Sequence, residues 1–199
     1  MKASIKSPLE MFYQWEQQTP DKVYLRQPDQ LVWTEYTWRQ VADRVRRVAS
    51  FLKSKDYPVG SRIGIWSANS MDWPIVDLAI MLSGHISVPI YPGQDVDSAN
   101  YIFNHSDVKL VFCGVFDQAR RIDEALVDGM ETAGMLGCSD NADIDMASIL
   151  ERYEPCPDSP VPNPDDIFTI IYPSGTTGNP KGAMHMHQTP GHVVPGLVK

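Results

Sequence analysis

The 199-residue sequence predicts an α/β fold in which layers of helices cover a mainly parallel sheet. Two observations predict it. Short apolar segments rich in valine and isoleucine alternate along the chain with longer segments of helical periodicity, a pattern typical of parallel strands joined by helices. The length and an apolar content of 43% also allow one substantial hydrophobic core.

Two capping boxes predict helices near the amino terminus. Ser7 to Glu10 places proline at the first helical position and begins a short amphipathic helix. Thr37 to Gln40 begins a second helix, in which apolar residues recur at helical spacing up to Leu52. Two alternating segments between these helices predict a small hairpin, over residues 22–27 and 31–36.

The remaining elements follow from periodicity and turn residues. Strands are predicted at residues 62–66, 86–90, 109–113 and 135–136, and a near-continuous apolar strand at 167–172 is expected in the centre of the sheet. Helices are predicted from a cap at Asn69 or Ser70 to about Leu82, and over residues 96–104 and 117–130.

A proline-rich stretch predicts how the chain is divided. Five of the twelve residues at positions 153–164 are prolines, which favours an extended connector over the surface. We therefore expect a first α/β subdomain over residues 1–152, including the first helix and the hairpin. The final segment, residues 165–199, would hold a strand, a glycine-rich loop and the start of a truncated further element.

The charge balance argues against nucleic acid as a partner. The chain has 17 Lys and Arg against 25 Asp and Glu, a formal net charge of −8. Its basic residues are scattered except for Arg44, Arg46 and Arg47, which we interpret as a solvated face of the second helix.

Cysteine usage and hydropathy predict a cytoplasmic protein. The three cysteines form no Cys-x-x-Cys pair, so neither a disulfide framework nor a zinc ribbon is indicated, and Cys113 is expected to be buried and inert. No secretory leader follows Met1, and the most apolar stretch, residues 75–90, contains an aspartate and a histidine and is too short for a membrane span.

The stretch Tyr172–Gly182 is the most specific chemical signal in the chain. It follows a predicted strand and combines backbone access, hydroxyl donors and a positive charge, which is the chemistry that holds phosphate. The residues that supply these properties are Gly175, Gly178, Gly182, Ser174, Thr176, Thr177 and Lys181. The Walker A pattern is not matched, because glycine and not serine or threonine follows Lys181, and no GxGxxG pattern is present.

The whole run resembles the phosphate loop of the adenylate-forming superfamily, in particular that of long-chain fatty acyl-CoA synthetases. The matching positions are Ser174, Gly175, Thr176, Thr177, Gly178, Pro180, Lys181 and Gly182. The stretches at residues 69–73, 84–92 and 101–104 also look like the first domain of those enzymes. Pro173 departs from the pattern, since it removes a hydroxyl and a backbone N–H donor where the family has threonine or serine.

The resemblance implies a function. The chain would be the amino-terminal portion of an ATP-dependent long-chain fatty acid–CoA ligase, inactive alone, with fatty acid, ATP and CoA as substrates and Mg²⁺ as a cofactor. It also allows peripheral contact with a membrane. ATP phosphates would be held by Ser174, Gly175, Thr176, Thr177, Gly178 and Lys181, with Thr177 also a ligand of Mg²⁺. The resemblance also implies that Lys181 and His187 are catalytic. His187 matches a histidine near the acyl pocket of the family.

Two other functions remain open. A non-catalytic module that binds a nucleotide or a partner chain would show an exposed apolar patch. A metal hydrolase could use His185, His187 and His192, although no Asp or Glu follows Asp166. Four tryptophans suggest an aromatic ligand platform, but core packing is the simpler interpretation of Trp33, Trp38, Trp66 and Trp73.

Overall fold

The computed structural model describes residues 6–29, 32–114, 121–138, 142–173 and 180–191, with only the backbone of Asp29 and Arg121. The helices are α1 (Pro8–Gln18), α2 (Trp38–Lys53), α3 (Asp72–Leu82), α4 (Val96–Ser106), α5 (Arg121–Ala125) and α6 (Met146–Arg152). The strands are β1 (Val23–Asp29), β2 (Val32–Thr37), β3 (Arg62–Trp66), β4 (Ile86–Ile90), β5 (Val108–Cys113), β6 (Glu131–Gly134), β7 (Ile144–Asp145), β8 (Ile167–Ile171) and β9 (Ala183–Met186).

The strands form a hairpin and one larger sheet. β1 and β2 pair as the predicted antiparallel hairpin. The larger sheet has the order β7-β6-β5-β3-β4-β8-β9, and every neighbouring pair in it is parallel except β8 with β9. The α/β fold class with a mainly parallel sheet is therefore confirmed.

Both faces of this sheet are covered. Ile63 and Phe112 point into a core formed with α2 and α3, whereas Trp66 and Val111 point into a second core formed with α4 and α5. All four side chains have no exposed surface. This double covering explains why the strands are near-continuously apolar.

The two capping boxes form as predicted, but the start of α3 was predicted wrongly. Ser7 and Thr37 each accept a hydrogen bond from the backbone three residues later. α3 begins at Asp72 without any side-chain cap. Its start is instead held by tertiary contacts, because the Met71 amide donates to Gln27 Oε1 at 2.8 Å and the Leu136 amide donates to the Asp72 carboxylate at 2.8 Å.

The region after β5 also differs from the prediction. The helix expected over residues 117–130 is α5, which ends at Ala125, and residues 117–120 lie outside the described part. The strand expected at residues 135–136 lies earlier, as β6, because the turn at Gly129, with φ of +80°, brings Glu131 beside β5. β7 and α6 were missed, although Asp145 caps α6 by accepting from the Ser148 amide at 2.6 Å.

The arginine trio on α2 is not a solvated face. Arg46 makes a two-bond ion pair with Glu16 of α1 at 2.8 and 2.9 Å. Arg47 donates to the backbone carbonyls of Leu150 and Tyr153. The interpretation was wrong for Arg46 and Arg47, because these side chains connect α2 to α1, to α6 and to the start of the connector.

The proline-rich connector leads back into the same sheet. Residues 153–163 have no helix or strand, and the Cys156 amide donates to the Arg46 carbonyl. β8 follows and pairs with β4 through Ser87 and Thr169. Its expected position in the centre of the sheet was wrong, because only β9 lies beyond it in the described part of the chain. The division into subdomains at residues 152 and 165 stays a prediction.

Candidate phosphate-binding site

The predicted phosphate loop leaves the edge of the sheet where nucleotide sites are commonly found. β3, β4, β5 and β8 are parallel, so their carboxyl ends meet at one edge, which is where ligands of open α/β sheets bind. Tyr172 directly follows β8 at this edge. Ser174, Gly175, Thr176, Thr177 and Gly178 lie outside the described residues, so their predicted contacts stay predictions.

The two ends of the loop are held together by a close contact. Ile171 pairs with Ala183 across β8 and β9, which brings Tyr172 beside Gly182. A Cβ added at Gly182 would lie 2.7 Å from Ile170 Cγ2 and 2.9 Å from Tyr172 Cζ. From the sequence, Gly182 was expected to give an anion access to the backbone. The structure gives a different reason for glycine at this position. The φ of Gly182 is not positive, and only glycine fits against the ring of Tyr172.

Tyr172 also fixes the loop to α4. Its hydroxyl shares a hydrogen bond of 2.7 Å with His105 Nδ1, and the two rings meet edge to face with centroids 5.8 Å apart. His105 in turn stacks on Tyr101. Burial raises the pKa of Tyr172, so this hydroxyl stays protonated near neutral pH. No local pattern predicts this contact, because the two residues lie 67 positions apart.

Lys181 is available to an anionic ligand. It is exposed, and in the described part of the chain it makes no hydrogen bond or ion pair. Pro173 on the opposite side of the loop is also exposed, and its effect on phosphate binding stays a prediction. An unpaired lysine at the carboxyl end of a parallel strand is chemically suited to hold phosphate, since its ammonium group acts as a compact point charge.

The two residues predicted to be catalytic lie at opposite ends of β9. β9 is antiparallel to β8 and pairs Met186 with Ile167, so His187 lies beside the start of β8 while Lys181 lies beside its end. A strand rises about 3.3 Å per residue, which separates the two ends of β9 by roughly 10 Å. The structure therefore does not bring Lys181 and His187 together.

His187 lies in a packed environment. Only 5% of its surface is exposed, its ring lies 5.3 Å from the Phe168 ring, and its amide donates to the Asp166 carbonyl at 3.0 Å. Its Nδ1 atom is buried and has no partner among the described residues. Burial lowers the pKa of His187, so the imidazole is neutral near pH 7.

His187 and His85 line the same cleft at the amino-terminal edge of the sheet. The cleft has a volume of about 520 Å³, and Gly84 and Ile167 also line it. The cleft therefore lies at the opposite edge of the sheet from Tyr172. His192, the third histidine of the proposed metal site, is not among the described residues, and those residues contain no group of three or more side chains arranged to hold a metal.

A mainly parallel sheet, with a glycine- and hydroxyl-rich segment in the sequence directly after one strand, is typical of α/β proteins that bind phosphate. A family model described as AMP-binding enzyme matches residues 12–193. Because this match spans most of the chain, the protein belongs to the family of AMP-binding enzymes.

Curated relatives carry related names. The chain is 30% identical to long-chain-fatty-acid–CoA ligase 5 of Rattus norvegicus over 186 residues, which is 82% of this chain and 26% of that protein. It is 33% identical over 149 residues to long chain acyl-CoA synthetase 6, peroxisomal, of Arabidopsis thaliana, which is 65% of this chain and 20% of that protein. The chain thus spans about a quarter of the length of the curated relatives it matches.

A solved structure shows the same fold. The anthranilate CoA ligase AuaEII, crystallised in complex with anthranoyl-AMP, superposes with a TM-score of 0.80 at 22% identity. The match covers 94% of this chain and 37% of that chain. None of the helices that the structure describes in our protein is long and apolar enough to cross a membrane.

Proposed function

We propose that this chain supplies the phosphate-holding part of the ATP site in a long-chain fatty acid–CoA ligase. The observation that carries the proposal is the placement of Lys181, exposed and without an ion-pair partner in the described part of the chain, at the carboxyl-end edge of a parallel sheet in a family of AMP-binding enzymes. The names of the relatives supply the substrate class, and ATP, CoA and a long-chain fatty acid are therefore the proposed substrates.

The proposed reaction has two steps. The fatty acid carboxylate attacks the α-phosphorus of ATP, which forms an acyl-adenylate and releases pyrophosphate. The thiol of CoA then displaces AMP and forms the thioester. In the first step, Lys181 would stabilise the negative charge that develops on the leaving pyrophosphate, and an electrostatic contribution of this kind requires no proton transfer.

The loop would share this task with Lys181. Ser174, Thr176 and Thr177 would donate hydroxyl hydrogen bonds to the phosphates, and Gly175 and Gly178 would let backbone amides approach. Mg²⁺ would neutralise phosphate charge when bound, with Thr177 as its proposed ligand. The contact of Tyr172 with His105 supports this arrangement, since it fixes the residue from which the loop begins.

The geometry favours a positioning role for His187 over contact with the phosphates. Its buried ring packs on Phe168 and its backbone pairs with Asp166, so it would fix the end of β9 and thereby the path of the loop. The role near the acyl chain that the family resemblance implies remains a proposal, and it would have to act through the cleft that His187 lines.

The reduced state of the three cysteines supports a cytoplasmic location. Cys113, Cys138 and Cys156 form no disulfide, and Cys113 is buried, with its pKa raised by that burial, as expected of an inert thiol. We propose the cytoplasm, although the relative from Arabidopsis thaliana is named peroxisomal. Peripheral contact with a membrane is part of the same proposal.

Competition binding tests the proposal on the 199-residue chain. Radiolabelled ATP is equilibrated with the protein and Mg²⁺, and unlabelled pyrophosphate or AMP is added as competitor. If the site holds the β- and γ-phosphates, pyrophosphate should displace labelled ATP at a lower concentration than AMP does. If AMP competes and pyrophosphate does not, the assigned role of the loop is wrong.

A thioester assay tests how much of the reaction this chain performs. Because it spans about a quarter of the length of its curated relatives, we expect no acyl-CoA from palmitate, ATP and CoA. Thioester formation above the no-enzyme background would contradict that expectation and assign the complete reaction to these residues.

One observation favours the alternative of a non-catalytic binding module. Met184 and Met186 lie on one face of β9 and are 65% and 44% exposed, which is unusual for large apolar side chains on a sheet. A module that binds a partner chain needs no phosphate contact. Absence of saturable ATP binding in the competition experiment would therefore favour it over the enzyme.

A further inference from the structure

A small aromatic pocket lies away from the phosphate loop, where α1, the hairpin, α2 and α3 meet. Its volume is about 270 Å³. All four elements contribute aromatic side chains to its wall, namely Phe12 and Trp15 of α1, Tyr24, Trp38 and Trp73. The volume lies just below the range of about 300–1,000 Å³ that drug-sized ligands occupy, so the pocket suits a small head group.

Three of the rings are close to parallel. Tyr24 stacks on Trp38 with centroids 3.7 Å apart and an interplanar angle of 10°, and Trp15 lies 6.3 Å from Trp38 at 22°. Trp15 is 40% exposed, so the wall is reachable from solvent. The faces of aromatic rings carry negative electrostatic potential, and clusters of such rings attract cations.

The same pocket contains one carboxylate. Asp77 of α3 is the only charged side chain among the described residues of its wall. In the described part of the chain it makes no ion pair, and the hydroxyl of Ser87 is the hydrogen-bonding group beside it. Burial raises the pKa of Asp77 to about 6, and the Ser87 hydroxyl only partly opposes this. A poorly solvated carboxylate without a cationic partner is costly and calls for a physical explanation.

We propose that this pocket binds an organic cation of the quaternary ammonium class. The quaternary ammonium group has no N–H donor to satisfy, which fits an aromatic wall with a single carboxylate. A guanidinium fits less well, because its five N–H groups need more acceptors than Asp77 offers. Small inorganic cations would require further oxygen ligands, which the described wall lacks.

Tryptophan fluorescence of the 199-residue chain measures the binding directly. Choline chloride is compared with its uncharged isostere 3,3-dimethylbutan-1-ol and with sodium chloride at the same ionic strength. We expect saturable quenching by choline, binding of the alcohol about tenfold weaker because it lacks the charge, and no saturation with sodium chloride. Equal affinity for choline and the alcohol, or no saturable signal with choline, would overturn the proposal.

Two substitutions locate the site. Asp77→Asn should weaken choline binding about tenfold, whereas Asp97→Asn, which changes an exposed carboxylate on α4, should leave it unchanged. Trp15→Leu changes a partly exposed ring and should also weaken binding, independently of Asp77. Unchanged affinity in both the Asp77 and Trp15 variants would contradict the assignment.

Vesicles distinguish the source of the cation. Co-sedimentation of the protein with phosphatidylcholine vesicles but not with phosphatidylglycerol vesicles, abolished by Asp77→Asn, would identify a lipid head group. Binding of free choline without co-sedimentation would identify a soluble cation. Co-sedimentation with phosphatidylglycerol alone, together with no response to choline, would overturn the proposal in favour of an anion-binding surface.

Discussion

The centre of the sheet and the β8–β9 ribbon at its side belong to one sheet but differ in their environment. In the centre, Ile65 of β3 and Leu110 of β5 have no exposed surface, and helices cover both faces. In the ribbon, Ile171 is 42% and Met184 is 65% exposed. The centre therefore supplies the stability of the fold, whereas the ribbon carries Lys181 and the predicted phosphate loop.

The difference has a simple structural cause. β3 has a strand on each side, and β9 pairs only with β8 in the described residues. Strands at the edge of a sheet bury less apolar surface and tolerate substitution more readily. A functional loop built on such a ribbon can be altered without unfolding the protein, provided that its two contacts with the core are kept, namely those of Tyr172 and Gly182.

The largest expected effect separates the two regions by stability. Phe112→Ala removes a fully buried ring that packs edge to face against Phe51, and it should cost about 3–5 kcal/mol of the free energy of unfolding. Met184→Ala removes a mostly exposed side chain and should cost less than about 0.5 kcal/mol. Urea unfolding of both variants measures the contrast, and equal losses would contradict the comparison.

Asp77 is an ionisable group that lies among the packed helices, so replacing its carboxylate by a neutral group should stabilise the folded state. Burial raises its pKa to about 6 from the ordinary value of 3.8. The folded state therefore holds a proton that the unfolded state releases, and stability falls as the pH rises from about 4 to about 6. Asp77→Asn should add up to about 3 kcal/mol at pH 8 and little below pH 4.

Thermal unfolding over this pH range tests the effect of Asp77, with Asp97→Asn as the control on an exposed carboxylate. If Asp77→Asn is less stable than the wild type at pH 8, the ionised carboxylate has a stabilising partner in the folded state and the expectation is wrong.

Gly182 connects the ribbon to the core, and its substitution should have an intermediate effect. Gly182→Ala places a Cβ within 2.9 Å of Tyr172 Cζ, so the ring must move and its hydrogen bond with His105 should break. Overpacking of this kind costs about 1–3 kcal/mol. Calorimetry gives the stability, and the NMR signal of the His105 ring reports the lost contact. Lys181→Ala, one residue earlier, is the matched control and should change neither.

Local signals in the sequence predicted the elements that local physics determines. The capping boxes at Ser7 and Thr37 and the apolar strand β3 are set by neighbouring residues, and they were predicted correctly. The start of α3 and the arginine contacts of α2 depend on side chains far away in sequence, such as Gln27 and Glu16, and these were missed. No single-sequence pattern reports such pairings.

The candidate site was predicted to a similar extent. The eleven-residue run was expected after a strand, and Tyr172 lies at the carboxyl end of β8. The grouping of Lys181 with His187 did not take account of the antiparallel return of β9, which carries the histidine to the other edge of the sheet. Spacing of six residues along a motif does not fix the distance in space when a strand lies between them.

The central claim, that Lys181 at the end of the ribbon holds phosphate, is tested most directly by equilibrium binding of MgATP to matched lysine variants. Lys181→Gln should weaken ATP binding about tenfold, since a charge-assisted contact with phosphate is lost. Lys109→Gln makes the same change in net charge at a lysine that already pairs with Asp107 at 2.6 Å, and its affinity should match the wild type. Equal affinities for all three proteins, or an equal loss in both variants, would contradict the account.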